Sequence, residues 1–303
     1  MKSLALAAAV TFLATTTVSA EVAVVPVTES VYALVGEKGQ RSPDNLANNA
    51  TFGVVVTDAG VVLIDSGGSW KGAQEIDVAI DTFTDKPVRI VINTGGQDHR
   101  WLGNGYWKAQ GARLVASQSA VTDQEERASM QLSMLSNLLG EALDGTEPVY
   151  ADETFENEME ISFGGVVFQL EHPGQAHTPG DSFVFLPEAG VLFSGDIIYT
   201  ERMLAVIPQS NTRSWLAALE AIAAHNPEHV VPGHGAPTTL DRAWKDTYDY
   251  LVHLREKIGA HIEAGGDMID SVHVDQSAFA YLEQFEALAG RNAQQVFSEM
   301  EWE

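Results

Sequence analysis

Apolar positions recur along the chain with two different spacings, one typical of β-strands and one typical of α-helices. Apolar β-branched runs at 54–56 and 61–65 flank the turn-forming residues Asp58-Ala59-Gly60, which predicts a β-hairpin. The segments that follow predict a helix over 72–84, a strand over 89–92, a strand over 112–116 and an amphipathic helix over 120–139. Strands that alternate with helices indicate a layered α/β fold.

The second half of the chain repeats this order in outline. Its segments predict strands over 158–172, 182–186 and 191–194, a helix over 213–225, a strand over 229–231 and a helix over 240–259. After the Gly265-Gly266 break, an Ala-, Leu- and Glu-rich stretch predicts a last helix over 276–297. Because no low-complexity linker divides the chain, we expect one domain over 21–260 and a helical C-terminal extension over 261–303.

The N-terminal residues have the pattern of an export signal. Lys2 precedes a short apolar run, and the small-residue ending Val18-Ser19-Ala20 follows it, which predicts a signal peptide over 1–20. The apolar run is too short to span the roughly 30 Å of a bilayer core. We therefore expect a periplasmic or secreted protein that is not inserted in a membrane after cleavage of the signal.

The net charge limits which partners the chain can bind, and the absence of cysteine limits which atoms could hold a metal ion. The formal net charge is −25, from 42 acidic and 17 basic residues, and a field of that sign repels nucleic acid and acidic lipid. We therefore expect a small-molecule substrate rather than a nucleic acid. Because the chain has no cysteine, a metal ion would have to be held by nitrogen and oxygen atoms.

Five residues of metal-ligand type follow apolar runs of β character. They are Asp98, His99, His177, Asp196 and His234. Loops that leave one edge of a layered α/β fold converge on a crevice, so these residues can meet there. Imidazole and carboxylate suit zinc and, with less preference, iron or manganese, and a bound metal generates hydroxide at neutral pH. Taken singly, each residue is better explained as a surface histidine or a turn aspartate, and only the joint pattern favours a metal site.

The ordered set of motifs around these residues resembles the metallo-β-lactamase superfamily. The motifs are Leu63-Ile64-Asp65-Ser66-Gly67, Ala176-His177-Thr178-Pro179-Gly180-Asp181, Leu192-Phe193-Ser194-Gly195-Asp196 and Val231-Pro232-Gly233-His234-Gly235. The resemblance covers residues 30–240 and implies a four-layer αβ/βα sandwich with its active site at the edge of the two sheets.

One loop departs from the superfamily pattern. Members usually carry His-x-His-x-Asp-His after the Asn-Thr that ends a strand, whereas this chain reads Asn93-Thr94-Gly95-Gly96-Gln97-Asp98-His99. The resemblance implies that the first metal position retains only His177. It also implies that Asp98, His99 and His234, with Asp196 as the bridging ligand, form a complete second position. We therefore expect one zinc ion per chain.

The same loop, continued through Arg100-Trp101, looks like that of the periplasmic quinoprotein relay system zinc metallohydrolases. This closer resemblance implies a periplasmic quinoprotein dehydrogenase system as partner. It names no substrate.

Three functions are consistent with the sequence. The first is a zinc-dependent hydrolase that uses activated water on an ester, thioester, lactone or amide bond, with Asp98 as the catalytic residue and Tyr199 or Arg100 as further candidate acids. The second is an accessory binding protein that kept the fold and lost catalysis, and the third, with the least support, is an iron redox enzyme. Candidate pocket residues are Trp70, Trp101, Tyr106, Tyr199, Met203 and Trp215, of which Trp70 and Met203 are preferred.

Overall fold

The computed structural model describes residues 22–303, and two β-sheets form its centre. The predicted signal peptide lies outside the described residues. The first sheet has seven strands in sequential order: β1 Ala23–Pro26, β2 Val31–Val35, β3 Thr51–Thr57, β4 Gly60–Ile64, β5 Val88–Asn93, β6 Arg113–Ser117 and β7 Glu153–Phe155. Strands β1 to β4 pair antiparallel and strands β4 to β7 pair parallel.

The second sheet has five strands in the order β12-β11-β10-β9-β8. They are β8 Glu158–Phe163, β9 Val166–Glu171, β10 Phe183–Leu186, β11 Val191–Phe193 and β12 His229–Val231. Pairing is antiparallel from β8 to β11 and parallel between β11 and β12. The single strand predicted over 158–172 is instead a hairpin, because Gly164 and Gly165 adopt positive φ angles and reverse the chain there.

Within residues 22–303 eight α-helices surround the two sheets. They are α1 Trp70–Asp81, α2 Asp98–Trp101, α3 Asn104–Ala109, α4 Gln118–Leu139, α5 Thr212–Ala224, α6 Leu240–Ala243, α7 Asp249–Glu263 and α8 Phe285–Met300. Side chains of Ser69, Ser117 and Asn211 accept hydrogen bonds from the first turns of α1, α4 and α5, and so cap their free N–H groups. A π-helical segment, Trp244–Tyr248, joins α6 to α7.

Alternation along the strands separates the apolar side chains into layers. In β5, Ile90 and Ile92 face the second sheet, where they pack with Phe168 and Val184, whereas Val91 packs against α1 and α3 on the opposite face. The outer face of the second sheet packs against α5, α7 and α8. The predicted four-layer αβ/βα sandwich with C-terminal helices is therefore confirmed.

Two predictions about local structure were wrong. Asp98 and His99 do not lie on a loop, because the chain turns directly into the short helix α2 after the Gly95-Gly96 pair. The last helix does not begin at Gln276: a 3₁₀ turn at Ser277–Phe279 and a left-handed Gln284 precede α8, which begins at Phe285. In the described residues, 22–303, no helix is long and apolar enough to cross a membrane.

The C-terminal helix α8 is built into the core. Its Leu288, Val296 and Phe297 are buried in the same cluster as side chains of α5 and α7. Asn292 accepts a hydrogen bond from the Val206 backbone N–H at 2.9 Å and donates to the carbonyl of Leu204 and the hydroxyl of Tyr250. The helix therefore fixes the segment that follows β11, which borders the candidate site.

Truncation of a side chain inside α8 measures how much this helix contributes to stability. Val296 is fully buried, so Val296→Ala is expected to lower the free energy of unfolding by about 2 kcal/mol through lost burial and a residual cavity. The matched control is Val78→Ala, because Val78 is 61% exposed and its truncation should cost less than about 0.5 kcal/mol. Equal effects in urea unfolding would contradict the packing of α8 into the core.

Candidate metal and active site

The loops that follow β4, β5, β11 and β12 meet at one edge of the two sheets. Asp65 directly follows β4 and has a positive φ of 68°, a conformation that aspartate tolerates better than most residues. Its carboxylate accepts hydrogen bonds from the backbone and hydroxyl of Thr94, which follows β5. Asp196 and His234 follow β11 and β12 in the same way. Parallel pairing of β4 with β5 and of β11 with β12 thus brings these residues together.

Three of the five predicted ligands form a buried cluster. His99 Nε2 lies 3.1 Å from Asp196 Oδ2, and His234 Nε2 lies 3.2 Å from Asp196 Oδ1. One ligand atom from each residue lies within 4.8 Å of the others. Burial would raise the pKa of Asp196, but Arg100 and the two histidines hold it well below its usual value. Asp196 is therefore ionised and lies between two imidazoles.

Asp98 lies beside this cluster and has one free oxygen. Its Oδ1 accepts hydrogen bonds from the Arg41 guanidinium and from the His99 backbone N–H, whereas its Oδ2 is buried without a hydrogen-bond partner. Burial would raise the pKa of Asp98, but the charge of Arg41 holds it well below the ordinary range. A buried carboxylate oxygen without a partner is costly unless a ligand completes it.

Arg100 is the central cation of the site. Its Nη1 donates to Asp65 Oδ2 at 2.9 Å and to the Thr51 carbonyl at 3.0 Å. Its Nη2 donates to Asp196 Oδ1 at 2.7 Å and to the Gly233 carbonyl at 2.8 Å, and its Nε donates to Asp196 Oδ2 at 3.2 Å. A guanidinium carries five N–H donors, so Arg100 has none left for a substrate.

Two further arginines contact the histidines from the outer side. Arg41 Nη2 lies 2.9 Å from His99 Nδ1, and Arg202 Nη1 lies 3.1 Å from His234 Nδ1. Arginine only donates, so both Nδ1 atoms accept and both Nε2 atoms carry a proton directed at Asp196. Burial lowers the pKa of Arg202, which forms no ion pair with any described carboxylate.

His177 lies apart from the three-residue cluster. Its Nδ1 donates to the Ala205 carbonyl at 2.9 Å, and its ring lies 5.6 Å from that of Trp215. Burial lowers the pKa of His177 to about 4, so the ring is neutral at neutral pH. A donated Nδ1–H is the usual arrangement of a metal-ligating histidine, and it leaves Nε2 free for a ligand.

A buried ion pair from α4 lies next to the Gly95-Gly96 segment, the part of the loop in which superfamily members carry the two histidines that this chain lacks. Arg127 and Asp123 form a buried pair, and Arg127 also donates to the Gly96 carbonyl at 3.0 Å. A Cβ atom at Gly96 would overlap the Asp123 carboxylate, and one at Gly95 would overlap Asp181. The chain therefore has no room for side chains at these two positions.

The site opens into a cavity of about 450 Å³. Among the candidate pocket residues only Tyr199 lines it. Trp101, Met203 and Trp215 are core residues, and Trp70 and Tyr106 pack with α1 and α3 on the far side of the first sheet. The preference for Trp70 and Met203 was wrong, because aromatic and sulfur side chains fill cores as readily as pockets.

The residues present fit one divalent metal ion and not two. The His99-Asp196-His234 cluster supplies nitrogen and oxygen donors of the kind that zinc prefers, whereas Asp98 lies outside this group, on the Nδ1 side of His99. The other position offers only His177. Binding through both Nε2 atoms requires the ring proton of each histidine to move to Nδ1, so Arg41 and Arg202 would have to give up their contacts with the two Nδ1 atoms.

Sequence reasoning missed the arginines Arg41, Arg127 and Arg202. Nothing in the local sequence distinguishes them from surface cations, because each reaches the site from a different element. Arg100 was considered only as an acid. Its position directly after the Asp98-His99 pair was the one available signal.

Comparison with known proteins agrees with this geometry. The family model described as the metallo-beta-lactamase superfamily matches residues 47–234. A metallo-beta-lactamase type 2 of Elizabethkingia meningoseptica is 27% identical over 221 residues, 70% of this chain and 78% of the relative. The 2,4-dinitroanisole O-demethylase subunit alpha of Nocardioides sp. (strain JS1661) is 26% identical over 180 residues, which is 58% of this chain. The match spans about half the length of that subunit.

Solved structures share the fold at low sequence identity. A metallo-beta-lactamase from Pontibacter korlensis superposes with a TM-score of 0.61 at 21% identity, over 73% of this chain and 95% of the other. The stereoselective inverting sec-alkylsulfatase Pisa1 from Pseudomonas sp. gives a TM-score of 0.71 at 14% identity, over 92% of this chain and 50% of the other. At these identities the likeness concerns the fold alone.

Removal of the central guanidinium is expected to be strongly destabilising. Arg100→Met leaves Asp65 and Asp196 buried without a counter-charge, which should cost about 3–5 kcal/mol in urea unfolding. Arg113→Met is the matched control, because Arg113 forms an exposed ion pair with Glu153 and its loss should cost less than about 1 kcal/mol. Similar losses in the two variants would refute the structural role of Arg100.

A methyl group at Gly96 should not be tolerated. Gly96→Ala is expected to lower the free energy of unfolding by about 1–3 kcal/mol, because the added carbon meets Asp123, which Arg127 holds in place. Gly259→Ala is the control: this helical position has only the end of Met300 nearby, so alanine should raise stability by about 0.5–1 kcal/mol. A neutral Gly96→Ala in urea unfolding would show that α4 can withdraw from this position.

Proposed function

The chain belongs to the metallo-β-lactamase superfamily, and from that membership and the site geometry we propose that it is a single-zinc hydrolase. Its proposed substrate is a small molecule with an ester, thioester, lactone or amide bond. The observation that carries the proposal is the buried His99-Asp196-His234 cluster with the unpartnered Oδ2 of Asp98 beside it.

The metal would be held by Asp98, His99, Asp196 and His234. When bound, a zinc ion supplies Lewis-acid polarisation and lowers the pKa of water to about 7. Asp98 is the proposed catalytic residue, because its ionised carboxylate contacts His99, which lines the cavity, and its buried Oδ2 has no hydrogen-bond partner among residues 22–303 and is available to a metal ion or a water molecule. His177 lines the cavity with a neutral ring and offers Nε2 as an acceptor for water or substrate.

Tyr199 is the stronger of the two further acid candidates. Its ring lies 4.5 Å from that of His234 and lines the cavity. Burial raises the pKa of Tyr199 well above 10, so its hydroxyl stays protonated and can donate to a leaving group. Arg100 is unsuitable as an acid, since all five of its N–H groups are engaged and neighbouring Asp196 raises its pKa further.

The proposal also includes a cellular location and a protein partner. The Lys2 charge, the apolar run and Val18-Ser19-Ala20 support export to the periplasm or exterior. The loop from Gly95 to Trp101 supports association with a periplasmic quinoprotein dehydrogenase system, in which the hydrolase would act on a small molecule.

One observation favours an accessory binding protein as a second candidate. Arg100 and Arg41 already compensate the carboxylates of Asp196 and Asp98, so the site is largely neutralised by the chain's own cations. A protein of this kind would bind a small molecule without metal and without turnover.

Metal content separates the two candidates. Elemental analysis of the mature chain is expected to give about one zinc per chain, and Asp98→Ala and His234→Ala should lose that zinc together with turnover on an ester, thioester, lactone and amide panel. His273→Ala is the control, because His273 is exposed and distant in sequence from every proposed ligand.

Wild-type protein without stoichiometric metal would favour the accessory binding protein. Zinc that stays bound in the Asp98→Ala and His234→Ala variants would show that the metal lies elsewhere.

A further inference from the structure

We propose that Arg202 and Arg41 form a subsite for an oxyanion, and that the substrate is an anionic small molecule with an apolar portion. The inference rests on the proposed function, because it names the substrate class of the same cavity. It concerns residues that lie outside the predicted metal ligands.

Arg202 is a buried cation that pairs with no carboxylate of residues 22–303. Its exposed fraction is 5%, its Nη1 donates to His234 Nδ1, and its Nε is buried without any partner. The adjacent acids are already used: Lys38 pairs with both Glu201 and Glu283. Taking a guanidinium out of water without a counter-charge is expensive, so a position of this kind indicates a missing anionic ligand.

Arg41 supplies a second donor at the same cavity. Its Nη2 is taken by Asp98 and His99, but its Nε is also buried without a partner. A pair of guanidinium groups suits carboxylate, sulfonate, sulfate or phosphate oxygens, because their planar N–H groups can make several charge-assisted hydrogen bonds.

The charge of the cavity wall is opposite to that of the protein. The chain carries a net charge of −25, yet Arg41, Arg202 and Arg291 line the cavity, and among the described residues no aspartate or glutamate does. A cationic cavity in an acidic surface concentrates anions at one place. Arginines scattered at random over an acidic surface would not give this distribution.

The rest of the wall is apolar. It is formed by side chains of α4, of α8 and of the segment after β11: Met134, Leu138, Val206, Ile207 and Leu288. Met134 and Leu138, one helical turn apart on α4, are 41% and 48% exposed and both line the cavity. The cavity thus presents cations beside an apolar surface, which suits an oxyanion carried on a hydrocarbon group.

The alternative is that Arg202 serves only to hold His234. In that case its removal would disturb the histidine and lower stability, with no specific effect on anions. A substrate anion predicts the opposite combination: loss of anion binding together with unchanged or increased stability, because the uncompensated buried charge has been removed.

Calorimetric titration of the full mature chain distinguishes these two roles. The probes are hexanoate, 1-hexanesulfonate and the neutral 1-hexanol, none of which contains a bond of the proposed substrate types. Wild-type protein is expected to bind at least one of the two anions at least tenfold more tightly than the alcohol, and higher salt should weaken that binding.

Two variants and one control complete the test. Arg202→Met should weaken binding of the anion about tenfold or more with no fall in melting temperature, and Arg202→Lys should retain part of it. Arg113→Met, which removes an exposed arginine, should bind as the wild type does. Preference for hexanoate or for hexanesulfonate would identify a planar or a tetrahedral anion, and either supports the subsite.

Equal binding of the alcohol and both anions, or unchanged anion binding in Arg202→Met, would overturn the proposal. Because the titration requires no turnover, and the zinc content of the same sample is measured separately, failure of the anion subsite is distinguishable from failure of the hydrolase proposal.

Discussion

The five hydrogen bonds of the Arg100 guanidinium are the constraint on which the rest of the site depends. They join the start of β3 and the end of β4 in the first sheet to the loops after β11 and β12 in the second. A buried cation with every donor used is held in one orientation, and it fixes the carboxylates of Asp65 and Asp196 in turn. The edge at which the two sheets meet is therefore rigid before any ligand binds.

Around Arg100 the charged side chains form an inner group, which is buried, and an outer group, which faces the cavity. Inside, Arg100 balances Asp65 and Asp196, and Arg127 balances Asp123. Towards the cavity, Arg41 contacts Asp98, and Arg202 pairs with no carboxylate in the described part of the chain, so positive charge exceeds negative charge at the wall. A metal ion would add to that excess. Catalysis on an anion would then use the same field to bind the substrate and to stabilise negative charge that develops during hydrolysis.

The layers of the fold could be predicted from the sequence because burial of one face places apolar residues at regular intervals along a strand or helix. Most strands and helices of this chain show that regular spacing. The sequence also predicted which residues occupy the edge of the sheets, and the structure brings His99, Asp196 and His234 together. It could not place Arg41, Arg127 and Arg202, since their role depends on side chains that reach across from distant elements. It also extended the last helix through Gln284, whose left-handed backbone has no signal in composition.

The packing of α4 against Gly96 limits how the site could be changed. In the pattern His-x-His-x-Asp-His the second histidine stands two residues before the aspartate, which is position 96 here, and a side chain at 96 meets the Asp123 carboxylate. A single substitution at Gly96 would cost stability before any ligand was gained, and the Asp123-Arg127 pair would have to be dismantled at the same time. A two-metal version of this site would therefore require coordinated changes in the loop and in α4, and the present packing confines the chain to chemistry that one metal ion or none can support.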